Sequence, residues 1–332
     1  MPISRYYKLG FFPTPLHRLS RLSERYNDYN IFIKRDDQSG LAMGGNKVRK
    51  LEYLVQDAID KGCDSLITYG AAQSNHCRQT AAAAAQTGLK CHLLLHGVQP
   101  DEHNGNLLLD KILGANIYWT EENVEELTLE GLFEMVKQSG QKPYLIPLGG
   151  SNEIGCLGYV RSILEFKQQL FDEMLDMDYI VFASCSGGTH AGMLVGKALY
   201  NLSTEIVGIS IAKDEVGRSP LSLQIIDIAN KASSLLNLEK RFNSNDVILE
   251  GGYDSAGYGV ITKQELDALN LLAQQEGILL DPVYTARAFA GFVDLMDKKR
   301  FPKGSNIVFW HTGGTPAIFH YASQLIKLHY LR

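Results

Sequence analysis

Short apolar runs alternate with longer amphipathic segments along most of this chain. The apolar runs are rich in β-branched and aromatic residues and lack regular polar alternation, as is typical of strands buried on both faces of a parallel sheet. They predict strands at residues 31–35, 65–69, 90–96, 116–120, 144–147, 179–183, 205–211 and 306–310.

The segments between these runs carry apolar residues at helical spacing. They predict helices at residues 47–61, 75–87, 107–113, 124–138, 154–170, 192–201 and 222–235. Strands joined by helices in this order predict an α/β fold of the doubly wound type, with mostly parallel sheet. In such folds ligands bind beyond the carboxyl ends of the strands, so the polar turns at these ends are the candidate functional segments.

Composition narrows the class of protein. Hydrophobic residues make up 45% and charged residues 21% of the 332 residues, which excludes disordered and fibrous classes. This length allows two domains or one large α/β unit. The 32 Lys and Arg residues against 37 Asp and Glu residues give a net charge of −5, so we expect no nucleic-acid partner.

The distribution of apolar residues and cysteines bears on the cellular compartment. No run approaches the roughly 18 apolar residues that cross a bilayer, and the N-terminal segment lacks the apolar region of a secretion signal. We therefore expect a cytoplasmic protein with no membrane partner. The five cysteines form no Cys-x-x-Cys pair, which favours reduced thiols over disulfides or a metal site.

Ten of the 31 glycines occur as Gly-Gly pairs. Glycine is used where the backbone turns with positive φ or approaches a ligand closely. Each pair therefore predicts either a tight turn or part of the rim of a binding cleft. The pairs are at 44–45, 149–150, 187–188, 251–252 and 313–314.

The first candidate site residue is Lys47, which follows a glycine pair and Asn46 at the start of a predicted helix. Asn46 is a favourable N-cap, and Lys47, Arg49 and Lys50 then fall in the first turn, where the helix dipole disfavours cations. A lysine at this positive end should have a lowered pKa, which favours an amine that forms a Schiff base. The alternative is a surface lysine that binds a phosphate or a carboxylate.

A phosphate loop of the nucleotide-hydrolase type does not fit this segment. Gly40 and Gly45 have the required separation, but Asn46 displaces the lysine by one position. Val48 also replaces the hydroxyl residue that binds magnesium in such loops.

Two further segments have the order strand, polar turn and helix. In the first, Ser74 or Asn75 is placed to cap the helix, and the amides of its first turn suit a carboxylate; simple capping is the alternative. In the second, residues 184–192 read Ser-Cys-Ser-Gly-Gly-Thr-His-Ala-Gly, a glycine-rich turn that suits a single phosphate group. An unliganded turn is the alternative, and a dinucleotide is not supported because the G-x-G-x-x-G spacing is absent.

Near the C-terminus, Tyr284 and Thr285 follow Asp-Pro-Val, and Thr312 precedes a glycine pair at a predicted strand end. Each is a weak signal alone, since a lone tyrosine is usually packed in the core. Together the segments match what pyridoxal phosphate requires, namely a lysine, a phosphate-binding helix start and a partner for the pyridine nitrogen. They also provide groups for an amino-acid carboxylate.

With these motifs, the sequence resembles the pyridoxal-phosphate enzyme family that contains D-cysteine desulfhydrase and 1-aminocyclopropane-1-carboxylate deaminase, within the tryptophan-synthase-β-like fold type II. The resemblance extends from FPTPLHRL to HTGGTPAIF and is carried by GGNKVRKLEYL, QSNHCRQTAA, SGGTHAGM, DPVYT and HTGG. It implies a large cofactor-binding domain of residues 1–47 and 166–332, with a smaller α/β domain of residues 48–165 inserted into it. The cofactor would lie in the cleft between them. It also implies a homodimer and a small amino-acid substrate.

The resemblance implies a role for each matching residue. Lys47 is similar to the Schiff-base lysine, and Ser74 and Tyr284 are the other expected catalytic residues. The residues expected to bind the cofactor are Asn46, Lys47, Asn75, Cys185, Ser186, Gly187, Gly188, Thr189 and Thr312. Those expected to bind the substrate are Ser74, Asn75, His76, Tyr258, Tyr284 and Thr285.

One position separates the activities within the family. The deaminases carry a glutamate directly after the tyrosine of the Pro-Val-Tyr motif, where it can protonate the pyridine ring. This chain has Thr285 there, as in the desulfhydrases, and an uncharged hydroxyl leaves the ring a weaker electron sink. A weaker sink suffices to expel thiolate but suits cyclopropane ring opening less well. The resemblance therefore predicts β-elimination, with D-cysteine converted into pyruvate, ammonia and hydrogen sulfide.

Three alternatives stay open: a 1-aminocyclopropane-1-carboxylate deaminase, an L-cysteate sulfo-lyase, and a non-catalytic protein that binds the cofactor or an amino acid. Two positions depart from the family pattern. Cys185 stands where relatives commonly have glycine, which would alter the phosphate turn. Ala286 and Arg287 replace a frequent Gly-Lys, which suggests a different substrate tail, including a sulfonate.

Overall fold

A computed structural model of the chain describes residues 3–121, 127–211, 219–254, 257 and 259–330. Its strands form two sheets, and helices pack on both faces of each. Within the described residues, no helix has the length and apolar character needed to cross a membrane.

The larger sheet is built from strands at both ends of the chain. Its strands are β1 (Leu16–Arg18), β2 (Asn30–Arg35), β7 (Tyr179–Ser184), β8 (Glu205–Ser210), β9 (Ile248–Glu250) and β10 (Asn306–His311). Their order is β1-β2-β10-β7-β8-β9. β1 runs antiparallel to β2, and every other neighbouring pair is parallel.

The smaller sheet comes from the middle of the chain. Its strands are β3 (Ser65–Gly70), β4 (Lys90–Leu95), β5 (Asn116–Trp119) and β6 (Pro143–Leu145). They are all parallel, in the order β5-β4-β3-β6.

The α-helices connect the strands as in other doubly wound folds. They are α1 (Ser20–Arg25), α2 (Lys47–Asp60), α3 (Asn75–Thr87), α4 (Gly105–Ile112), α5 (Leu129–Gln138), α6 (Leu157–Asp172), α7 (Gly188–Tyr200), α8 (Leu221–Leu235), α9 (Lys263–Glu276), α10 (Thr285–Asp297), α11 (Ala317–His320) and α12 (Ala322–Tyr330). Short 3-10 helices occupy Asp36–Gln38, Leu148–Gly150 and Ser244–Asp246.

The structure confirms the predicted doubly wound α/β class, and all eight predicted strands are present. Five predicted helix starts differ from those of the structure, two of them by four residues or more. α5 begins at Leu129 rather than at 124, and residues 124–126 lie outside the described residues. α7 begins at Gly188 rather than at 192. The sequence does not predict its first turn because glycine is unfavourable in helices. Packing nevertheless requires glycine in this helix, since a Cβ at Gly192 would lie 2.3 Å from the carbonyl oxygen of Cys156. The apolar pattern does not by itself single out β1, β9, α1 and α9–α12.

Alternate residues of β10 show why its apolar run is uninterrupted. Val308 and Trp310 lie in the core formed with α6, α7 and α8. Ile307 and Phe309 lie in the opposite core, with α9 and α10. A strand covered on both faces has no solvent-facing positions, so its sequence shows no polar alternation.

A buried charged network fixes α2 against the larger sheet. Arg49 of α2 pairs with Asp36 and with Glu165 of α6, both at 2.8 Å. Lys34 of β2 pairs with the same Glu165 at 2.5 Å. The network holds the helix that begins at Lys47 in place relative to β2 and α6.

Candidate active site

A cavity of about 720 Å³ lies between the two sheets, at the carboxyl ends of their strands. The ends of β3, β4, β7 and β10 line it, together with the starts of α2, α3 and α7. This is where open α/β sheets bind ligands. The sequence-predicted site residues in its wall are Asn46, Lys47, Ser74, Asn75, His76, Cys185, Ser186, Gly187, Thr189, Tyr284 and Thr312.

A left-handed loop presents Lys47 to this cavity. Residues 40–45 all have positive φ, between +31° and +126°. A Cβ at Gly313 would lie 2.7 Å from the Cα of Gly45, so only glycine allows the two backbones to approach this closely. Gly45 of the first glycine pair and Gly313 of the last pair are therefore in close backbone contact near Lys47.

Asn46 does not cap α2 with its side chain, contrary to the sequence prediction. Its Nδ2 instead donates to Oγ1 of Thr189 at 3.2 Å and so joins the starts of α2 and α7. The capping acceptor comes from α3, where Oε1 of Gln79 accepts from the Val48 N–H at 3.0 Å. Gln79, which is distant in sequence, therefore caps α2 in place of Asn46.

Lys47 has the lowered basicity that the sequence predicts, but for a different main reason. Burial lowers its pKa to about 8, and the neighbouring Cys185 and Lys50 oppose only part of that shift. The side chain keeps some accessible surface because it lines the cavity, although protein atoms surround it. A substantial share of Lys47 is therefore an uncharged amine near neutral pH.

Lys50, one helical turn further along α2, is a site residue that the sequence analysis missed. Its side chain is fully buried, and Nζ donates to the carbonyl of Gly149 at 3.1 Å and to Oγ of Ser151 at 3.0 Å. Ser151 in turn contacts Oγ of Ser186 at 2.8 Å and accepts from the Gly188 N–H at 3.3 Å. Lys47 and Lys50 are three positions apart, a spacing that places both on one face of the helix. This spacing is the sequence feature that could have identified Lys50.

Gly149 is the second residue that the sequence analysis missed. A Cβ there would lie 2.5 Å from Oγ of Ser186 and 3.3 Å from Nζ of Lys47, so the missing side chain leaves room for the lysine. The pair at 149–150 therefore belongs to the cavity. The pair at 251–252 does not line it, and the structure is compatible with a simple turn there.

The turn at residues 185–189 joins β7 to α7 beside these lysines. Gly187 has a φ of +79°, which turns the chain into the helix so that the first N–H groups of α7 point towards the cavity side of the turn. Gly188 is buried and does not line the cavity; a Cβ there would meet Oγ of Ser151 at 2.7 Å. A positive helix start with two lysines close by is suited to a phosphate group.

The start of α3 forms another part of the wall. Ser74 caps the helix, as predicted, by accepting from the Cys77 N–H at 3.2 Å. Asn75 and His76 follow it, and Nε2 of His76 lies 2.9 Å from Oγ1 of Thr68. Burial and the charges of the two lysines hold the pKa of His76 well below its usual range, so this histidine is neutral.

Of the site residues predicted near the C-terminus, some line the cavity and others do not. Tyr284 and Thr312 line the cavity, whereas Thr285 is fully buried and does not. Oγ1 of Thr285 donates to Asp281 at 2.7 Å, and Asp281 also accepts the Tyr284 and Thr285 N–H groups at 2.8 and 2.7 Å, which caps α10. Tyr258 lies outside the described residues.

No Asp or Glu side chain is found among the described residues that line the cavity. The nearest candidates for a contact with a pyridine nitrogen are therefore hydroxyl groups, with Thr312 at the end of β10. The carboxylate of Asp281 is occupied by the start of α10.

These residues fit pyridoxal phosphate. A lysine of lowered pKa, a glycine-rich helix start beside a second buried lysine, and the hydroxyl of Thr312 after β10 provide partners for the aldehyde, phosphate and ring nitrogen. Gly149 leaves room for Nζ of Lys47, and Gly187 allows the sharp turn into α7.

The fold and the cavity are those of an α/β enzyme with an anionic aromatic cofactor. Residues 7–313 match the model of the family described as pyridoxal-phosphate dependent enzyme, and the chain belongs to this family. The match confirms the cofactor predicted from the motifs.

Similar proteins support the finer resemblance. Two curated D-cysteine desulfhydrases, from two strains of Klebsiella pneumoniae, are each 42% identical to this chain, over 94% of its length and 95% of theirs. The crystal structure of a 1-aminocyclopropane-1-carboxylate (ACC) deaminase homologue superposes with a TM-score of 0.87 at 38% identity, covering 98% of this chain and 96% of that one. A threonine deaminase from Solanum lycopersicum, at 18% identity and a TM-score of 0.66, shares the fold. The predicted resemblance and fold type II architecture are thus confirmed.

Proposed function

We propose that this protein is a pyridoxal-phosphate-dependent lyase that converts D-cysteine and water into pyruvate, ammonia and hydrogen sulfide by β-elimination. The observation that carries the proposal is the cavity wall, which presents Lys47 and hydroxyl groups but no carboxyl group among its described residues. The curated relatives named D-cysteine desulfhydrase support the same substrate. When bound, the cofactor supplies an electron sink for negative charge at the substrate Cα.

Four groups of residues would hold the cofactor. Lys47 would bind its aldehyde carbon, and the helix start at residues 185–189 would bind its phosphate, with Lys50 and Ser151 behind that turn. Asn46 and Asn75 would contact the ring from the starts of α2 and α3, and Thr312 would face its nitrogen. The uncharged hydroxyl of Thr312 would leave that nitrogen largely unprotonated, which would suffice for a good leaving group such as thiolate.

The substrate would bind between the cofactor and the start of α3. The N–H groups of this helix start favour a carboxylate, and Ser74 and His76 lie beside them. Nζ of Lys47, whose lowered pKa raises the share of uncharged amine above that of an ordinary lysine, would accept the proton from Cα. The Cβ–S bond would then break with its electron pair on sulfur, and Tyr284, which lines the cavity, would orient the departing group.

A panel of three substrates tests this function. We expect pyruvate from D-cysteine, and at least tenfold less from L-cysteate and from 1-aminocyclopropane-1-carboxylate under the same conditions. Release mainly from one of the other two would replace the proposal by that activity. Visible cofactor absorbance without turnover of any of the three would identify a non-catalytic binding protein.

Lys47→Ala, compared with Lys61→Ala, separates the role of this lysine from a general loss of charge. Lys61 is at the other end of α2 and is exposed. We expect Lys47→Ala to lose pyruvate release and the visible absorbance of the protein-bound cofactor, while Lys61→Ala keeps both. Unchanged absorbance in Lys47→Ala would contradict the assignment.

The second candidate function is that of an ACC deaminase. It is favoured by one observation, the ACC deaminase homologue that superposes with a TM-score of 0.87. The hydroxyl of Thr312 and the absence of a carboxyl group among the described residues of the cavity wall argue for elimination, and the substrate panel separates the two activities.

We also propose the setting in which the enzyme works. The smaller sheet lies wholly within residues 65–145, which supports an inserted domain. Because α6 packs as one helix in the core of the larger sheet, the second domain boundary is better placed before Leu157 than within the helix at 165/166.

A homodimer follows from the family resemblance. A cytoplasmic location is supported by the five cysteines, none of which is joined in a disulfide.

A further inference from the structure

Arg287 of α10 has no exposed surface, and every nitrogen of its guanidinium group has a partner. Nε donates to Oε1 of Glu265 at 2.8 Å. Nη1 donates to the carbonyls of Ile211 at 2.9 Å and Gly257 at 3.1 Å, and Nη2 donates to the carbonyl of Val260 at 2.9 Å. This corrects the sequence expectation that Arg287 reads a substrate tail, because all three of its nitrogens donate to other protein groups and it is not in the cavity wall.

One of the three carbonyls belongs to a residue of the cavity wall. Gly257 lines the cavity itself, and Val260 follows three residues later, so the two contacts enclose position 258 of the sequence. Ile211 comes directly after β8. One guanidinium group therefore ties the 257–260 segment to the end of a strand of the larger sheet.

Glu265 is the charged partner of the Arg287 guanidinium group. It is itself fixed at the start of α9, where it accepts from the Thr262 N–H at 2.9 Å and from the Thr262 hydroxyl. The charges of Arg287 and Glu265 offset each other in a buried place, where an unpaired charge would be costly. Both ends of the bridge are therefore rigid.

We propose that Arg287 is a positioning residue that holds Gly257 and Val260 in place at the edge of the cavity. It acts on substrate affinity and selection without touching the substrate. The proposal rests on the proposed function only for the identity of the substrate, since the anchoring of Gly257 and Val260 is independent of which amino acid binds.

The geometry also explains why position 287 carries an arginine. The planar guanidinium presents fixed donors in several directions, and it reaches one carboxylate and three carbonyls at once. A lysine has three donors on a single nitrogen and would leave at least one buried carbonyl without a partner. Lysine at this position, which the family frequently carries, should therefore hold the segment less firmly.

The test compares Arg287→Lys and Arg287→Met with Arg300→Met in the cofactor-loaded enzyme. Arg300 forms surface ion pairs with Glu205 and Glu250 and is not in the cavity wall, so it controls for the loss of a paired arginine. We expect Arg287→Met to raise KM for the substrate that the panel identifies by about ten- to a hundredfold, with kcat within about threefold. Arg287→Lys should lie between wild type and Arg287→Met, and Arg300→Met should match wild type.

Hydrogen exchange of the same variants gives a second measurement that needs no activity. Peptides covering 257–262 should exchange faster in Arg287→Met than in wild type, and peptides of α6 and α7 should not change. Unchanged exchange in this segment in either folded Arg287 variant would overturn the proposal, as would an unchanged KM. If the wild type turns over none of the panel substrates, the proposed function fails while the exchange result still decides the anchoring.

Should Arg287→Met fail to fold, Arg287→Lys and Glu265→Gln keep the question open to experiment. Glu265→Gln retains the hydrogen-bond acceptor but removes the balancing charge. We expect faster exchange of residues 257–262 and a higher KM in both. A fall in kcat with unchanged KM, together with altered cofactor absorbance, would place the role at the cofactor and contradict the proposal.

Discussion

At the start of α2, two lysines one turn apart lie against the same glycine-rich turn, and their surroundings decide which form each takes. Burial lowers the pKa of Lys50 well below its usual range, and the charge of Lys47 lowers it further. Lys47 is lowered less, to about 8. The residue that faces the cavity is therefore the one that can gain or lose a proton near neutral pH.

This difference predicts a pH profile for Lys47 in the cofactor-free protein. Below its pKa the amine is protonated and does not attack an aldehyde, so the rate of cofactor capture should fall as pH falls through about 8. Capture can be stopped by borohydride reduction and located by peptide mapping. An ordinary lysine has a pKa of roughly 10.4. A midpoint near that value for Lys47 would contradict the effect of burial.

At the scale of the element, the loop before α2 is unusual because six successive residues have positive φ. Three of them, Leu41, Ala42 and Met43, are not glycine and adopt φ values of +31°, +46° and +69°. Left-handed backbone is unfavourable for such residues, and it persists only where the surroundings impose it. Here Arg78 donates to the carbonyl of Gly44 at 2.8 Å, which helps to hold the loop that carries Lys47.

Ala42→Gly should therefore stabilise the protein. Glycine accepts a positive φ without steric penalty, so we expect the free energy of unfolding to rise by about 0.5–1 kcal/mol in urea denaturation. Ala85→Gly is the matched control, because Ala85 is an exposed residue in α3, where the same change should lower the free energy of unfolding by about 1 kcal/mol. Equal effects of the two changes would show that the loop is not strained at Ala42.

At the scale of the whole molecule, the buried network of Lys34, Asp36, Arg49 and Glu165 connects the N-terminal strands, α2 and α6. Burial alone would raise the pKa of Asp36, but the charge and hydrogen bonds of Arg49 outweigh it and lower the pKa to about 2. Tyr159 adds a hydrogen bond to the same carboxylate at 2.6 Å. The helix that begins at Lys47 and the larger sheet are thus held together by a set of paired charges.

The lowered pKa of Asp36 predicts loss of stability in acid. The folded state holds this carboxylate ionised more firmly than the unfolded state does, so its contribution is complete above about pH 4 and is lost as pH falls towards 2. Asp36→Asn should lower the free energy of unfolding at pH 7 by about 3 kcal/mol and reduce its dependence on pH in the acid range. The exposed pair partner Asp227 is the control, and Asp227→Asn should change the free energy of unfolding by less than about 0.5 kcal/mol. A pH dependence in Asp36→Asn equal to that of wild type would contradict this account.

Much of the fold and the cofactor was predictable because the signals are local. Each buried strand carries its own apolar run, and the turn of Gly187 with the helix after it lies within a few residues. Lys47 after a glycine pair and Ser74 at a helix start are likewise readable from neighbouring positions. Several such segments in one chain point to one cofactor, even though each alone permits another interpretation.

The tertiary structure decided which side chains meet. Gln79, not Asn46, caps α2, and Lys50 donates to Gly149 of the cavity wall although the two lie about a hundred positions apart in sequence. Arg287 faces away from the substrate and anchors a neighbouring segment. These outcomes depend on how distant segments pack and on which groups lose contact with water. The order of residues along the chain therefore determined the fold class and the cofactor, whereas packing determined the direction and the charge of each group around it.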